Sequence, residues 1–465
     1  MDERNLVSDG AGAAGPVASP VASGAIGSAG KAPQAMLAGL RPNLRRGEVL
    51  DDAERLARLR LARSENVGPR TWVHLMDRFE SAVTAIEALP ALAGLGGRRG
   101  YVACPMASAE DEIARGRAAG ARLVVLGERG YPERLAHISS APPVIWVRGA
   151  VERLSRPATA VVGARNASAL GLRQARRLGR GLALEGEMVV SGLARGIDTA
   201  AHEGALSAVE SAREGAQHAL AEEMSPASDP RTAEMRRMTR QRTGRARPVD
   251  TVGQTIAVMA GGIDVAYPAE NAALAERIVE TGGALISECP PGTVPAARHF
   301  PRRNRLVSGL ADGVVLVEAA LRSGSLITAR TALDQGREVM ACPGAAEDPR
   351  AGGCNALIRD GAGLVRDHRD VLEALGPLRA RGMAEDTAGF DAASGAPSAM
   401  RQLRLDDGAL AERVHAILSP APTPIDEVAR LCDATPSALA LAIIELELAG
   451  RAMVMSGHEI AAIGA

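Results

Sequence analysis

Residues 158–204, ATAVVGARNASALGLRQARRLGRGLALEGEMVVSGLARGIDTAAHEG, decide the fold. The stretch alternates an apolar run, a turn of small residues and a helical run, twice over. Each turn carries one arginine, Arg165 in VGAR and Arg195 in SGLARGID. A strand that breaks into Gly, Ala and Ser just before a helix leaves unpaired N–H groups and a positive dipole end facing outward. Such a turn holds phosphate or another anion. Two turns from one sheet, each with a guanidinium, predict a cradle for a string of phosphates built from Gly163, Arg165, Ser168, Ser191, Gly192, Arg195 and Gly196. The spacing lacks G-x-G-x-x-G, so the dinucleotide fingerprint is absent.

The same rhythm continues on both sides. The apolar runs RLVVL, VIWVR, TAVVGA, MVVSG, TIAVMAGG, ALIS, VVLVEA and EVMACPG are Val/Ile/Leu-rich without strict alternation. A parallel sheet covered on both faces requires this pattern. Interleaved with helical runs, they predict an α/β protein with a doubly wound, mostly parallel sheet over residues 121–376. Residues 1–47, rich in Gly, Ala, Ser and Pro without periodicity, read as a disordered tail. Residues 48–120 read as a small helical domain of helix-hairpin-helix (or SAM-like) type, its turn at Gly68-Pro69 and a helix starting near Arg70. Residues 377–408 read as a linker.

The last block, 409–465, contains three helical runs and a hairpin around Ser456-Gly457, the pattern of a winged helix. Thr423 and Thr435 are placed as N-caps, Thr435 with proline at the first helical position. In a DNA-reading winged helix the third helix enters the major groove. Here that helix carries Glu445 and Glu447, which repel phosphate, so the domain reads as a partner-binding module.

One segment breaks the pattern. Residues 207–250 read as an insertion that begins acidic and ends with seven arginines, at 231, 236, 237, 240, 242, 245 and 247, against a single Glu234. It is either a solvated loop or an electrostatic extension of a nucleic-acid track.

Composition narrows the function. The 465 residues carry a net charge of −1, which excludes a uniformly basic coat and leaves only local patches for a polyanion. Aromatic residues make up 2%, so stacking on many aromatic platforms is excluded. Five scattered cysteines without C-x-x-C argue against disulfide frameworks and zinc, and they fit a reducing cytoplasm. No run is apolar and long enough to cross a bilayer. The acidic start (Asp2, Glu3) does not read as a secretory signal.

Local patches do exist. Arg298, Arg302, Arg303 and Arg305 lie between Gly292 and Leu306 with no acid among them. Ser323-Gly324-Ser325 follows the run VVLVEA and opens another helix. Ligands of open α/β sheets sit at the carboxyl edge of the strands, so these groups should converge with Arg165 and Arg195. Asp198 and His202 are spaced i, i+4, but lack further ligands and read as structural. Glu288 and Glu318 follow strands and read as capping or arginine-pairing carboxylates rather than a catalytic pair. His299 reads as part of the cationic loop, and Cys342 as buried packing.

Taken in order, YPERLAHISSAPPVIWVRG, VVGARNAS, SGLARGIDTAAH, YPAEN, ISECPPG, FPRRNRLVSGL, EAALRSGSLITA and CPG resemble the DNA-processing protein A (DprA/Smf) family, closely over residues 131–362. The resemblance implies an extended Rossmann-like core, dimeric and cytoplasmic, that binds single-stranded DNA. It implies protection of incoming DNA and loading of the RecA recombinase in natural transformation, without catalysis, cofactor or metal. Carried over by motif, Arg165, Arg195, Arg302, Arg303, Asn304 and Arg305 grip the backbone, Phe300 touches a base, and Ser323, Gly324 and Ser325 complete the surface. The long insertion departs from the family pattern. The competing class is a nucleotide-processing, phosphoribohydrolase-like enzyme on a related core. Those enzymes carry a P-G-G-x-G-T turn where this chain has RSGSLIT.

Overall fold

The computed structural model describes residues 47–79, 81–224, 251–387, 408–455 and 458–463. Its centre is a sheet of β1 (Arg122–Val125), β2 (Val144–Gly149), β3 (Ala158–Val162), β4 (Met188–Ser191), β5 (Thr255–Val258), β6 (Ala284–Ser287), β7 (Gly313–Leu316), β8 (Glu338–Ala341) and β9 (Gly363–Leu364). The order is β1-β2-β6-β5-β4-β3-β7-β8-β9. The block from β6 to β9 is parallel, while β1 and β2 pair antiparallel at one edge. All eight apolar runs of the sequence are strands. The two-residue β9 was not expected, because GL has no periodicity to read.

Side chains alternate across the pleat, so both faces must be covered. On one face Val161, Val189, Val315 and Met340 meet α6 (Ala169–Leu184), α7 (Ile197–Met224) and α12 (His368–Thr387). On the other, Ala160, Val162, Val190 and Val314 share a core with α9 (His299–Gly309) and α10 (Ser325–Asp334). The chain leaves β3 for β4 on one side and returns as β7 on the other. The crevice at this reversal of strand order is where such sheets take ligands.

Two boundaries differ from expectation. Helix α7 does not end before residue 207. It runs through Met224 because Ala208, Val209 and Ala212 still face the core. The arginine-rich stretch 225–250 lies outside the described residues, as do the tail 1–46 and residues 388–407. Likewise α12 continues through Thr387, past the expected start of a linker at 377. Its Arg379 donates to Glu187 at 2.7 and 2.8 Å and to Asp312 at 2.8 Å, a half-buried network that keeps the helix on the sheet.

The N-terminal domain is four helices, α1 (Asp52–Arg63), α2 (Pro69–Arg78), α3 (Ala82–Leu95) and α4 (Met106–Ala118). Gly68 is the N-cap of α2 and Pro69 occupies its first turn, as the sequence indicates. Glu112 joins this domain to the sheet. Its carboxylate accepts from Arg63 Nη2 at 2.9 Å and from the indole of Trp146 on β2 at 2.9 Å.

The winged helix consists of α13 (Gly408–Ile417), α14 (Ile425–Cys432), α15 (Pro436–Leu448) and strands β10 (Thr423–Pro424), β11 (Ala452–Met455) and β12 (Glu459–Ala462). Thr435 caps α15 by accepting from Ala438 N. Thr423 is not a cap. It pairs with Ile460 in β10, and Pro424 takes the cap position. The acidic third helix, α15, packs on the chain's own helical domain. Leu441, Ile444 and Leu448 share one core with Leu59, Trp72 and Leu89. Thr71 Oγ1 donates to Glu447 at 2.6 Å, and Arg70 donates to the Met455 carbonyl at 2.9 Å. Burial pushes the Glu447 carboxyl up, against the pull of its Thr71 and Val454 hydrogen bonds and Arg70.

His202 lies fully buried in α7, its Nδ1 2.6 Å from Thr255 Oγ1. Thr255 Oγ1 donates to the Val189 carbonyl, so it accepts from a neutral Nδ1–H imidazole. Burial, with Arg303 adding to it, depresses this histidine to about 3. A depressed histidine contributes stability above its unfolded value near 6.5, lost as pH falls toward 3, at up to about 1.4 kcal/mol per pH unit. In urea titrations between pH 6.5 and 4, the wild type should lose stability as pH falls, and His202→Gln should flatten that decline. An unchanged slope would show that His202 does not carry this dependence.

Candidate nucleic-acid interface at the carboxyl edge of the sheet

Three turns leave the carboxyl ends of β3, β4 and β7, and the backbone ties them together. Ala164 N donates to the Glu318 carbonyl at 2.7 Å, and Ile197 N donates to the Ala164 carbonyl at 3.2 Å. Gly196 makes the second bond possible. Its φ is +78°, and a Cβ there would sit 2.3 Å from the Ala164 carbonyl oxygen. The backbones of the first two turns are thus held against each other next to Arg165 and Arg195.

Internal carboxylates already engage several N–H groups of those turns. Glu318, from the turn after β7, accepts from Ser168 N at 3.0 Å and from Ser168 Oγ at 2.6 Å. Ser168 Oγ in turn caps α6 by accepting from Gly171 N at 2.9 Å. A carboxylate of the protein therefore stands where an anion would meet the start of α6. At the second turn the buried Asp198 accepts from Gly192 N at 3.1 Å and Ala194 N at 3.4 Å. Burial pushes its carboxyl up, while Arg303 and these hydrogen bonds pull it down. Ser191 is buried, with Oγ on the Val161 carbonyl at 2.7 Å. These placements correct the expectation that Ser168, Ser191 and Gly192 contact a ligand. Gly163 is likewise a packing position, since a Cβ there would meet Ile197 and the Glu318 carbonyl within 3.0 Å.

The cationic loop divides in the same way. Arg303 is 6% exposed. Its Nη1 donates to the Val258 carbonyl at 2.6 Å and also to that of Gly192. Gly192 must lack a side chain, because a Cβ would lie 2.3 Å from that guanidinium. Arg305 is committed to Glu288 at 2.6 Å and to the Ser140 carbonyl. Neither arginine reaches solvent freely, which corrects their assignment to a backbone grip. Asn304 Oδ1 accepts from Arg303 Nε at 3.1 Å. His299 Nδ1 accepts from Ala296 N at 3.2 Å. Cys342 is buried, and burial raises its thiol to about 12.

A smaller set of groups stays exposed. The Arg165 guanidinium lies 4.7 Å from the centre of the Phe300 ring, and the Tyr267 ring centre is 5.6 Å from that of Phe300. Tyr267 is 49% exposed, which is unusual for an aromatic residue in a chain with so few. It sits in the YPAEN turn, whose motif was visible while its meeting with Phe300 was not. Arg195 is exposed but bonded to Glu270, with Nη2 to Oε2 at 2.8 Å, and that bond raises its pKa. Such an exposed pair is weak because solvent screens it, so a phosphate can displace the carboxylate. Arg298, Arg302 and Arg322 are exposed, and among the described residues none has a carboxylate within salt-bridge range. At the third turn, Ser325 N donates to Ser323 Oγ at 3.3 Å, the two hydroxyls lie 2.7 Å apart, and Gly324 is exposed. Arg350, in the loop after β8, stands 3.9 Å from Glu318 and was missed for want of a motif. Among the described residues no cluster of side chains fits a metal ion.

A Rossmann-like sheet with arginines and an aromatic pair at its carboxyl edge, flanked by helical and winged-helix domains, defines a polyanion-handling α/β protein. The chain belongs to the DNA recombination-mediator protein A family, whose model matches residues 122–220 and 245–376. Its flanks match the DprA-like N-terminal HHH domain at 52–114 and the DprA winged helix domain at 397–458. DNA processing protein DprA of Streptococcus pneumoniae is 37% identical over 243 residues, 52% of this chain and 70% of that protein. Protein Smf of Escherichia coli is 36% identical over 275 residues, 59% of this chain and 62% of Smf. The X-ray structure of DprA from Streptococcus pneumoniae superposes with a TM-score of 0.51 at 29% identity, covering 70% of this chain and 98% of that one.

The split between structural and exposed arginines is measurable. Arg303→Met should lower unfolding stability by about 3–5 kcal/mol, because it removes a buried charge and leaves two carbonyls and Asp198 uncompensated. Arg302→Ala should stay within about 0.5 kcal/mol of wild type. Equal losses in chemical denaturation would refute the division.

Proposed function

We propose that this protein holds single-stranded DNA along the carboxyl edge of its sheet and delivers the coated strand to the RecA recombinase in natural transformation. The observation that carries the reading is the cluster of exposed Arg165 and Tyr267 with half-buried Phe300, with Arg195, Arg302 and Arg322 around it. Arginines track phosphates, and two ring faces accept unpaired bases, which a duplex does not present. Contact with phosphates and ring faces alone leaves base identity unread. The family's description as a recombination mediator supports the transfer to a recombinase. A homodimer would place two such edges on one particle, and cytoplasmic action would match both partners. The role needs binding and release, with no bond broken.

The competing reading, hydrolysis of a nucleotide, would put a phosphate at the start of α6. Glu318 holds that position with its carboxylate bonded to Ser168. A nucleoside monophosphate would have to displace a hydrogen-bonded anion there, which disfavours that chemistry.

Fluorescence anisotropy with a labelled oligothymidylate across a salt series separates the contributions. The logarithmic salt slope should be about −0.7 per phosphate neutralised. Arg302→Ala should make the slope shallower by about that amount, and Arg165→Ala should weaken binding to all sequences alike. Phe300→Ala should lose about 1–3 kcal/mol of binding with little change in slope, as expected for a stacking residue. Glu270→Gln should tighten binding about threefold by freeing Arg195. Equal affinity for duplex and single strand, unaffected by these variants, would overturn the reading.

A further inference from the structure

A cavity of about 230 Å³ opens between the helical domain and the carboxyl edge of the sheet. One wall comes from the turn into α2, with Val67 and Pro69; the other comes from Pro143, ahead of β2, and Met259, just past β5. Val67, Pro143 and Met259 are buried, so the walls are set. Arg302 and His299, both from the start of α9, also line it. His299 accepts a backbone N–H on Nδ1, so its neutral ring carries the proton on Nε2 and offers a donor. The cavity is below the roughly 300–1,000 Å³ of pockets for drug-sized ligands. Its chemistry is mixed: apolar walls, the guanidinium of Arg302, the His299 N–H donor, and the polar side chains of Arg63, Glu288 and Thr293.

We infer that this slot receives one base of a bound single strand, turned out of the backbone and held between apolar walls while Arg302 takes the adjoining phosphate. The inference rests on the strand-binding reading above and extends its track past the sheet. Continuity with the exposed cluster supports it. Arg302 is two residues from Phe300 on the same helix, and Arg303, which also lines the cavity, lies 6.0 Å from the Phe300 ring. From β3, which delivers Arg165, to β6, whose end borders the slot, the edge spans three inter-strand steps, about 14 Å. Apolar side chains can hold an extruded base as aromatic ones do, and a single strand presents bases without the cost of breaking pairs. In a chain with 2% aromatics, a slot of proline, valine and methionine supplies a second base site without another ring.

The inference makes the helical domain part of the binding surface. Its contribution is the Val67–Pro69 turn.

The test is photo-crosslinking of the full chain with oligothymidylate carrying single 4-thiothymidines, with adducts mapped by mass spectrometry. Two groups of adducts are expected, one at Tyr267 and Phe300 and one at Val67–Pro69 or Met259. Ala62 lines the same cavity, and Ala62→Phe should reduce the second group at least fivefold while leaving the first unchanged. Should that variant fail to fold, the wild-type map still decides. Adducts confined to Tyr267 and Phe300 would overturn the slot and leave strand binding intact. No salt-dependent binding of the oligonucleotide at all would overturn both.

Discussion

The carboxyl edge depends on one buried guanidinium. Arg303 donates to carbonyls at the ends of β4 and β5, next to the buried Asp198. Burial lowers its pKa and Asp198 raises it, and the two charges keep each other in place. A charge removed from water is tolerated only when its hydrogen bonds are made and a counter-charge is near. That requirement fixes α9 against the sheet to within hydrogen-bond tolerance. Phe300 and Arg302 ride on the same helix, so their positions follow from an arginine that is itself buried. Gly192 belongs to the same constraint, because any side chain there would occupy the guanidinium's place.

A second regularity is that the protein answers its own anion sites. Glu318 meets the first turn, Asp198 the second, Glu288 holds Arg305 and Glu270 holds Arg195. At the first two turns, internal carboxylates already engage the N–H groups of Ser168, Gly192 and Ala194. What remains for a polyanion is a set of exposed guanidinium groups around two rings. Such a surface fits a flexible strand sliding in register better than a small nucleotide needing a fixed phosphate seat. The outermost pair, Arg195 with Glu270, is the most easily exchanged, because both partners are solvated.

The flanking domains show how the same sequence signal can mislead. Glu445 and Glu447 on α15 do argue against a helix that reads DNA. The partner they meet is the chain's own helical domain, across a surface of Leu441, Ile444 and Leu448. The winged helix thereby braces α2 and α3, and the turn at Gly68-Pro69 is held facing the sheet. The Arg63–Glu112–Trp146 network anchors that domain to β2 from the other side.

The sequence by itself determined the architecture: eight apolar runs, the glycine-rich turns and the cap at Thr435 are local features, and each became the element it indicates. It also placed Arg165, Arg195 and the 298–305 cluster on one edge, because strand polarity in a parallel sheet fixes which ends face together. It could not tell which arginines would be buried, since Arg302 and Arg303 look alike in a string, yet the first is exposed and the second buried. Nor could it pair Ser168 with Glu318, 150 positions apart, or bring Tyr267 to Phe300. It ended α7 and α12 too soon because tertiary contacts at Ala208, Val209 and Arg379 extend helices beyond their local pattern. Periodicity reports what a segment buries, whereas the choice between ligand contact and internal pairing depends on neighbours that only the folded chain supplies.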